Sequence, residues 1–327
     1  MLRRLRRPAG LVLPVVLLSG LAACGSEDGL SGALEGFDAV TISGEVGSVP
    51  EVAWKGQLEA GDVESKTLVE GEGAELAEGD PVIVNYWLGN GYTEEVIQES
   101  FGEEVAGLLL TVGGEAQPPQ TVDDILKAFV SQAVTEGATL GSRVALVASA
   151  EEALGVPTGL PELGIGNADS LVIVVDLLSQ PLEQVEGKAV PIPPWGPDLV
   201  VTEGEPTSFD YEGAPAPNMR PRLAVLVEGT GPVVEDGDLL VANYLGQAFD
   251  AAKPFDESFS RDEPVGFPIG LRAVVKGWDK TLVGVPVGSR VFLQLPPEFG
   301  YGEQGNPQAG IKPTDTLNFV IDILAAE

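Results

Sequence analysis

Asp315-Thr-Leu-Asn-Phe-Val-Ile-Asp-Ile-Leu324 repeats an earlier stretch, Asp169-Ser-Leu-Val-Ile-Val-Val-Asp-Leu-Leu178, with both acids in the same places. Two further pairs of blocks recur ahead of them in the same order. Glu70-Gly-Glu-Gly73, Gly79-Asp80 and Asn85-Tyr86 return as Glu228-Gly-Thr-Gly231, Gly237-Asp238 and Asn243-Tyr244, and Leu140-Gly-Ser-Arg-Val144 returns as Val287-Gly-Ser-Arg-Val291. Only the spacers change length, so the chain holds two copies of one fold. Val82 to Leu88, Leu239 to Leu245, Arg143 to Val147, Arg290 to Leu295, Leu171 to Leu177 and Leu317 to Ile323 are short, rich in β-branched and aromatic residues, and bounded by Gly, Asp or Pro. That is the pattern of strands between turns. One stretch per copy departs from it: Val274, Trp278 and Leu282 fall four apart and would share one face of a short helix. A mostly antiparallel sheet wrapped around one short α-helix follows for each copy, an α+β arrangement.

The blocks also set the boundaries. Residues 48–182 and 217–327 hold the two copies. Residues 183–216 are Pro-rich, with Pro191-Ile-Pro-Pro-Trp-Gly-Pro197, and read as a semi-rigid linker in which Asp198-Leu-Val-Val201 offers an edge strand to the second sheet. Ahead of the first copy, residues 1–23 begin Met1-Leu-Arg-Arg-Leu-Arg-Arg-Pro8 and continue as the apolar run Leu11 to Leu21, too short to span a bilayer comfortably and of signal-peptide type. The run ends Leu21-Ala22-Ala23-Cys24, which resembles a bacterial lipobox. That resemblance implies cleavage before Cys24, the only cysteine, and a lipid anchor on its thiol, with residues 24–47 as a flexible tether at the extracytoplasmic face of the cell membrane.

Counting excludes several chemistries. With no histidine, Ser-His-Asp and Cys-His mechanisms and His-ligated zinc are absent, and a single cysteine permits neither an internal disulfide nor a thiolate cluster. Eighteen basic residues against fifty acidic ones give a formal charge of -32, which argues against a nucleic-acid partner. No cofactor or metal is expected.

From Tyr244 onward the chain concentrates aromatic residues, the material of an apolar pocket. Residues 220–327 resemble an FKBP-type peptidyl-prolyl isomerase domain through Val241-Ala-Asn-Tyr244, Phe255-Asp-Glu-Ser-Phe-Ser-Arg261, Phe267-Pro-Ile-Gly270, Val274-Val-Lys-Gly-Trp278, Val287-Gly-Ser-Arg290, Pro296-Pro-Glu-Phe-Gly-Tyr-Gly302 and Thr316-Leu-Asn-Phe319. The tandem arrangement resembles bacterial lipoprotein isomerases of that family, with two FKBP-like domains, the second intact. The resemblance implies that Trp278 floors a proline pocket walled by Tyr244, Phe255, Val274, Val275, Ile311 and Phe319. It further implies that Tyr301 donates its hydroxyl to the substrate carbonyl, and that Asp256 sits beside that carbonyl, positioned by Tyr244 and Arg261. Val265 stands at a wall position where the family often has Phe, which implies a wider site on that side.

The chemistry implied needs no nucleophile. Rotation about an X-Pro bond is slow because amide resonance must be lost, at a barrier of about 18 to 20 kcal/mol. A turnover of order 100 per second needs a barrier near 15 kcal/mol, so desolvation and a few fixed dipoles must supply only about 4 to 5. The partners implied are proline-containing polypeptides, secreted or cell-envelope proteins whose folding the enzyme assists. The alternative function is a non-catalytic polypeptide-binding chaperone or interaction module. In the first copy Tyr86 matches Tyr244, but Phe129 stands for Trp278, Leu154 for Tyr301, and the Phe-Asp pair is missing from Thr93-Glu-Glu-Val-Ile-Gln-Glu-Ser-Phe101. The expectation there is a fold retained without its chemistry.

Overall fold

A computed structural model describes residues 32–102, 104–114, 121–155, 157–261 and 263–327. The signal-peptide stretch and Cys24 lie outside the described residues. The first copy opens with β1 (Leu34–Glu35), the hairpin β2 (Val40–Ser43) and β3 (Glu51–Trp54), and β4 (Leu58–Glu59), which pairs with β1. Its main sheet is built from β5 (Glu64–Val69), β6 (Pro81–Asn90), β7 (Glu95–Glu99), β8 (Leu108–Thr111), β9 (Arg143–Ser149) and β10 (Ser170–Ser179). Helix α1 (Val122–Ser131) precedes β9 and α2 (Ala150–Leu154) follows it. The second copy starts with the hairpin β11 (Asp198–Thr202) and β12 (Glu205–Asp210). It continues through β13 (Arg222–Val227), β14 (Leu239–Ala248), β15 (Asp256–Glu257), β16 (Val265–Pro268), α3 (Lys276–Thr281), β17 (Arg290–Leu295) and β18 (Leu317–Ala326).

The two six-stranded sheets share one topology. The first runs β5-β9-β10-β6-β7 with β8 beside β6, and the second runs β13-β17-β18-β14-β15 with β16 beside β14. All these pairings are antiparallel. The chain is thus two FKBP-like α+β domains, as the repeated blocks require.

The continuous apolar runs that opened the sequence reading have a physical cause. Leu171, Ile173, Val175 and Leu177 of β10 face the helix-side core, while Val172 and Val174 face a second core on the outer side. A strand buried on both faces loses the polar alternation of a half-exposed one. The outer cover is the N-terminal segment, where Ala39 and Val40 pack with Trp87 and Ala145. The second sheet is covered likewise, with Phe209 of β12 buried against Phe292 and Val320 and with Ile192, Trp195 and Leu199 packed at the edge.

Two sequence expectations are corrected here. Residues 24–47 were expected to be a flexible tether, but Leu34–Ser43 form strands and a short helical turn, because a sheet with an apolar outer face needs a cover and this segment supplies it. Residues 183–216 were expected to be a Pro-rich linker, with Asp198-Val201 as an edge strand of the second copy in the alternative reading. That strand pairs with β12 in a separate hairpin laid across the sheet's outer face.

The repeated motifs meet in space. Ser142 Oγ accepts the Gly71 N–H at 2.9 Å, and Ser289 Oγ accepts the Gly229 N–H at 3.0 Å. Arg143 forks onto Asp176 at 2.6 and 2.7 Å, and Arg290 onto Asp322 at the same two distances. Asn85 and Asn243 each accept from a serine, Ser100 and Ser258, whose hydroxyl also takes the N–H of the following tyrosine. What recurs is therefore largely scaffold, and the difference between the copies lies in what the scaffold holds.

Candidate active site

Strand β14 brings Tyr244 to the face of the sheet that packs on Trp278, and the turn into β15 brings Phe255 and Asp256 beside it. Gly246, between them in register, faces both Asp256 on β15 and Phe319 on β18. A Cβ on Gly246 would lie 2.6 Å from Phe255 and 2.7 Å from Phe319, so the missing side chain is what lets those rings approach. The rings then meet at 5.8 Å, nearly perpendicular.

Trp278 is carried by α3, which starts later than the spacing predicted. Val275 is the extended residue before the first turn and Val274 lies outside the helix, while Trp278 and Leu282 are buried. Around the indole stand Phe267 at 4.9 Å, Phe319 at 5.4 Å and Tyr244 at 5.8 Å, all edge-to-face. That geometry sets positive ring edges against negative faces and fixes the floor without a polar contact. The indole N–H itself is buried with no partner among the described residues.

The polar members lie on the rim. The Tyr244 hydroxyl donates a short hydrogen bond to Asp256 Oδ2, and Arg261 approaches Asp256 Oδ1 at 3.8 Å. Burial first, and then the Asp256 carboxylate, raise the Tyr244 phenol well above its ordinary value, so it stays a donor. The turn carrying Arg261 is tied by Glu257, whose carboxyl is held below the usual range chiefly by the Ser260 N–H it accepts at 3.0 Å. Asp256 and Arg261 are each about half exposed, 50% and 47%, so their attraction is solvent-screened and serves orientation more than stability. Tyr301 follows a short turn after β17, is 38% exposed, and has no hydrogen-bond partner for its hydroxyl among the described residues.

Together these residues line an open cleft of about 460 Å³. Of the residues expected from sequence, Tyr244, Phe255, Asp256, Val274, Val275, Trp278, Tyr301 and Phe319 line it. Arg261, Val265 and Ile311 do not. Arg261 reaches it through Asp256, Ile311 is buried in the core beneath, and Val265 stands on β16 beside a separate groove. Four lining residues were missed: Phe267, Ala273, Lys276 and Gly300. Phe267 had a legible signal, since it lies two residues beyond Val265 and so on the same face of the strand. Lys276 at the mouth pairs with Glu298 at 3.1 Å and lies 4.7 Å from the Phe299 ring centroid.

At the equivalent place in the first domain the register puts Leu88 for Gly246, Gln98 for Asp256 and Ile173 for Phe319. Tyr86, Leu88, Phe129, Leu154 and Ile173 are all buried in one core, so aliphatic side chains take the space that the second domain leaves open.

A cleft with an aromatic floor, apolar walls and a few polar groups on its rim, Asp256, Lys276 and Tyr301, fits a catalyst of bond rotation. The sequence comparisons agree with the geometry. The profile of the family described as FKBP-type peptidyl-prolyl cis-trans isomerase matches residues 231–324. An FK506-binding protein of Streptomyces anulatus is 39% identical over 98 residues, 30% of this chain and 79% of the relative. The FKBP-type isomerase FkpA of Escherichia coli K12 is 29% identical over 230 residues, 66% of this chain and 83% of its own. The crystal structure of FkpA from Escherichia coli aligns over 33% of this chain and 48% of that chain at 36% identity, with a TM-score of 0.30. The chain belongs to the FKBP-type peptidyl-prolyl cis-trans isomerase family.

Proposed function

We propose that the second domain isomerises X-Pro bonds in the cavity over Trp278, and that the first domain is catalytically silent. The observation that carries the reading is one cleft that joins an aromatic floor to Tyr244, Asp256 and the Tyr301 hydroxyl, with Arg261 reaching Asp256 from outside it. The proline ring stacks on Trp278 between Tyr244, Phe255 and Phe319. Leaving water weakens the solvation that favours the planar, charge-separated amide, which lowers the barrier to twisting. Tyr301 donates to the carbonyl on one side of the proline. Asp256, held by Tyr244 and Arg261, places its negative charge against the carbonyl carbon as resonance is lost. Val274 and Val275 close the wall above.

The clients are proline-containing polypeptides, in the setting the N-terminal sequence points to: secreted or cell-envelope proteins met by an enzyme held at the outer membrane face through a lipid on Cys24. A lipid-labelling experiment with Cys24→Ser checks the anchor, with loss of label and release from the membrane fraction expected.

The activity test is a proline-peptide isomerisation assay on the whole chain. Asp256→Ala and Trp278→Ala should each lower kcat/KM by about tenfold or more, and Tyr301→Phe by less, while circular dichroism stays unchanged. Parent-level activity in all three would sink the assignment. Activity that survives Trp278→Ala and vanishes with Phe129→Ala would move the reaction to the first domain.

A further inference from the structure

A second groove, of about 350 Å³, lies between the two domains. Leu108 and Leu109 of β8 and Lys127 of α1 form its first-domain wall, and Arg261, Pro264 and Val265 form the other. The walls are close, for a Cβ on Gly266 of β16 would lie 3.5 Å from Leu109. Among the described residues, strands β8 and β16 are each paired along one edge only, so two free strand edges flank the groove.

Two observations say what it holds. The groove adjoins the isomerase cleft: Arg261 lines the groove and approaches Asp256 of the cleft at 3.8 Å, and β16 contributes Val265 to the groove and Phe267 to the cleft. Its charge also runs against that of the molecule. In a chain with 18 basic and 50 acidic residues, two cations, Lys127 and Arg261, meet here against one acid, Glu263. Lys127 is exposed and makes no ion pair among the described residues. We propose that this interdomain groove is an extended subsite for the client polypeptide: it takes the chain flanking the X-Pro bond, an apolar residue lying against Leu108, Leu109 and Val265 and a neighbouring carboxylate meeting Lys127. The first domain, without a reaction of its own, thereby sets substrate preference for the second. The inference rests on the second domain's cleft being the X-Pro site.

The test uses the whole chain, a tetrapeptide that fills only the cleft, and long peptides with the same X-Pro core flanked, before or after the proline, by Leu-Glu or by Leu-Lys. The net charge of -32 alone would favour Leu-Lys. The groove demands the reverse: kcat/KM for the better-placed Leu-Glu peptide exceeds that of its Leu-Lys twin by about three- to fivefold at low salt, and the difference fades as salt rises. Lys127→Glu abolishes or inverts the preference and leaves tetrapeptide turnover unchanged. Equal use of both long peptides by the parent, or a preference that survives Lys127→Glu, overturns the proposal. Fluorescence anisotropy with the same labelled peptides keeps the two readings apart. A parent that fails to turn over the tetrapeptide yet binds Leu-Glu more tightly through Lys127 would refute the X-Pro cleft and uphold the groove.

Discussion

Tyr244 does two things that pull in different directions, since its ring packs on Trp278 while its hydroxyl must reach the solvent-exposed Asp256. The raised phenol pKa reconciles them. A group whose pKa is raised on folding contributes stability present below its unfolded value, about 10, and lost only as pH climbs through the higher folded value. The chain has no histidine to titrate nearer neutrality. The kcat/KM of the parent should therefore be flat from about pH 6 to 9. Tyr244→Phe, which frees Asp256 but keeps the ring, should lower it by about tenfold across that whole range without bending the profile. A bell centred near neutrality would show that some other group carries a proton in the reaction. At this scale the sequence was legible where a residue type itself suggests the chemistry: Trp278, Asp256 and Tyr301 all line the cavity. It was not legible at Gly246, whose contribution is space for Phe255 and Phe319.

Among the elements, the two covering hairpins escaped sequence reading. Strands β2 and β3 alternate only loosely and sit among glycines, and β11 and β12 follow a Pro-rich run, so local composition spoke for tether and linker. What makes them structure is tertiary: an outer sheet face that cannot stay wet, and in the first domain a buried ion pair that reaches into the hairpin turn. Arg143 and Asp176 are 1% and 0% exposed. Beyond each other they bind the turn's backbone, Arg143 Nη2 donating to the Ser48 carbonyl at 2.6 Å and Gly47 N–H donating to Asp176 Oδ2 at 2.7 Å. Arg143→Met leaves Asp176 buried and uncompensated and releases the turn, so urea unfolding should register a loss of about 3 to 5 kcal/mol. The Arg143→Met, Asp176→Leu pair should recover much of that loss, because the stranded charge dominates the single variant. No recovery would mean that the hairpin anchor, and not the charge, sets the cost.

For the molecule as a whole, the repeat said that there are two domains and was silent on how they meet. The surfaces that meet are extensions of strands already apolar for other reasons. Ile83 of β6 and Ala106 ahead of β8 are buried with Leu239, Val241, Leu324 and Ala325 of the second domain, and Leu109, Val185 and Leu271 pack around them. The end of the first copy adds a Leu182 N–H to Leu324 carbonyl bond at 3.0 Å, and Ser179 Oγ donates to Glu327 Oε1 at 2.6 Å. Pulling the domains apart would expose these side chains at about 1.5 to 3 kcal/mol for each large one, an upper bound that still exceeds the usual stability gap between related domains. Calorimetry on the whole chain should accordingly show one cooperative transition. Ile83→Ala combined with Leu324→Ala thins the interface from both sides and should resolve it into two, with the second domain's tetrapeptide activity retained below the first transition. It should also weaken the long-peptide preference, because the groove's walls are held at their spacing by this same contact. Two transitions already present in the parent would mean that the domains melt independently, and the groove between them would then need ligand to hold its shape.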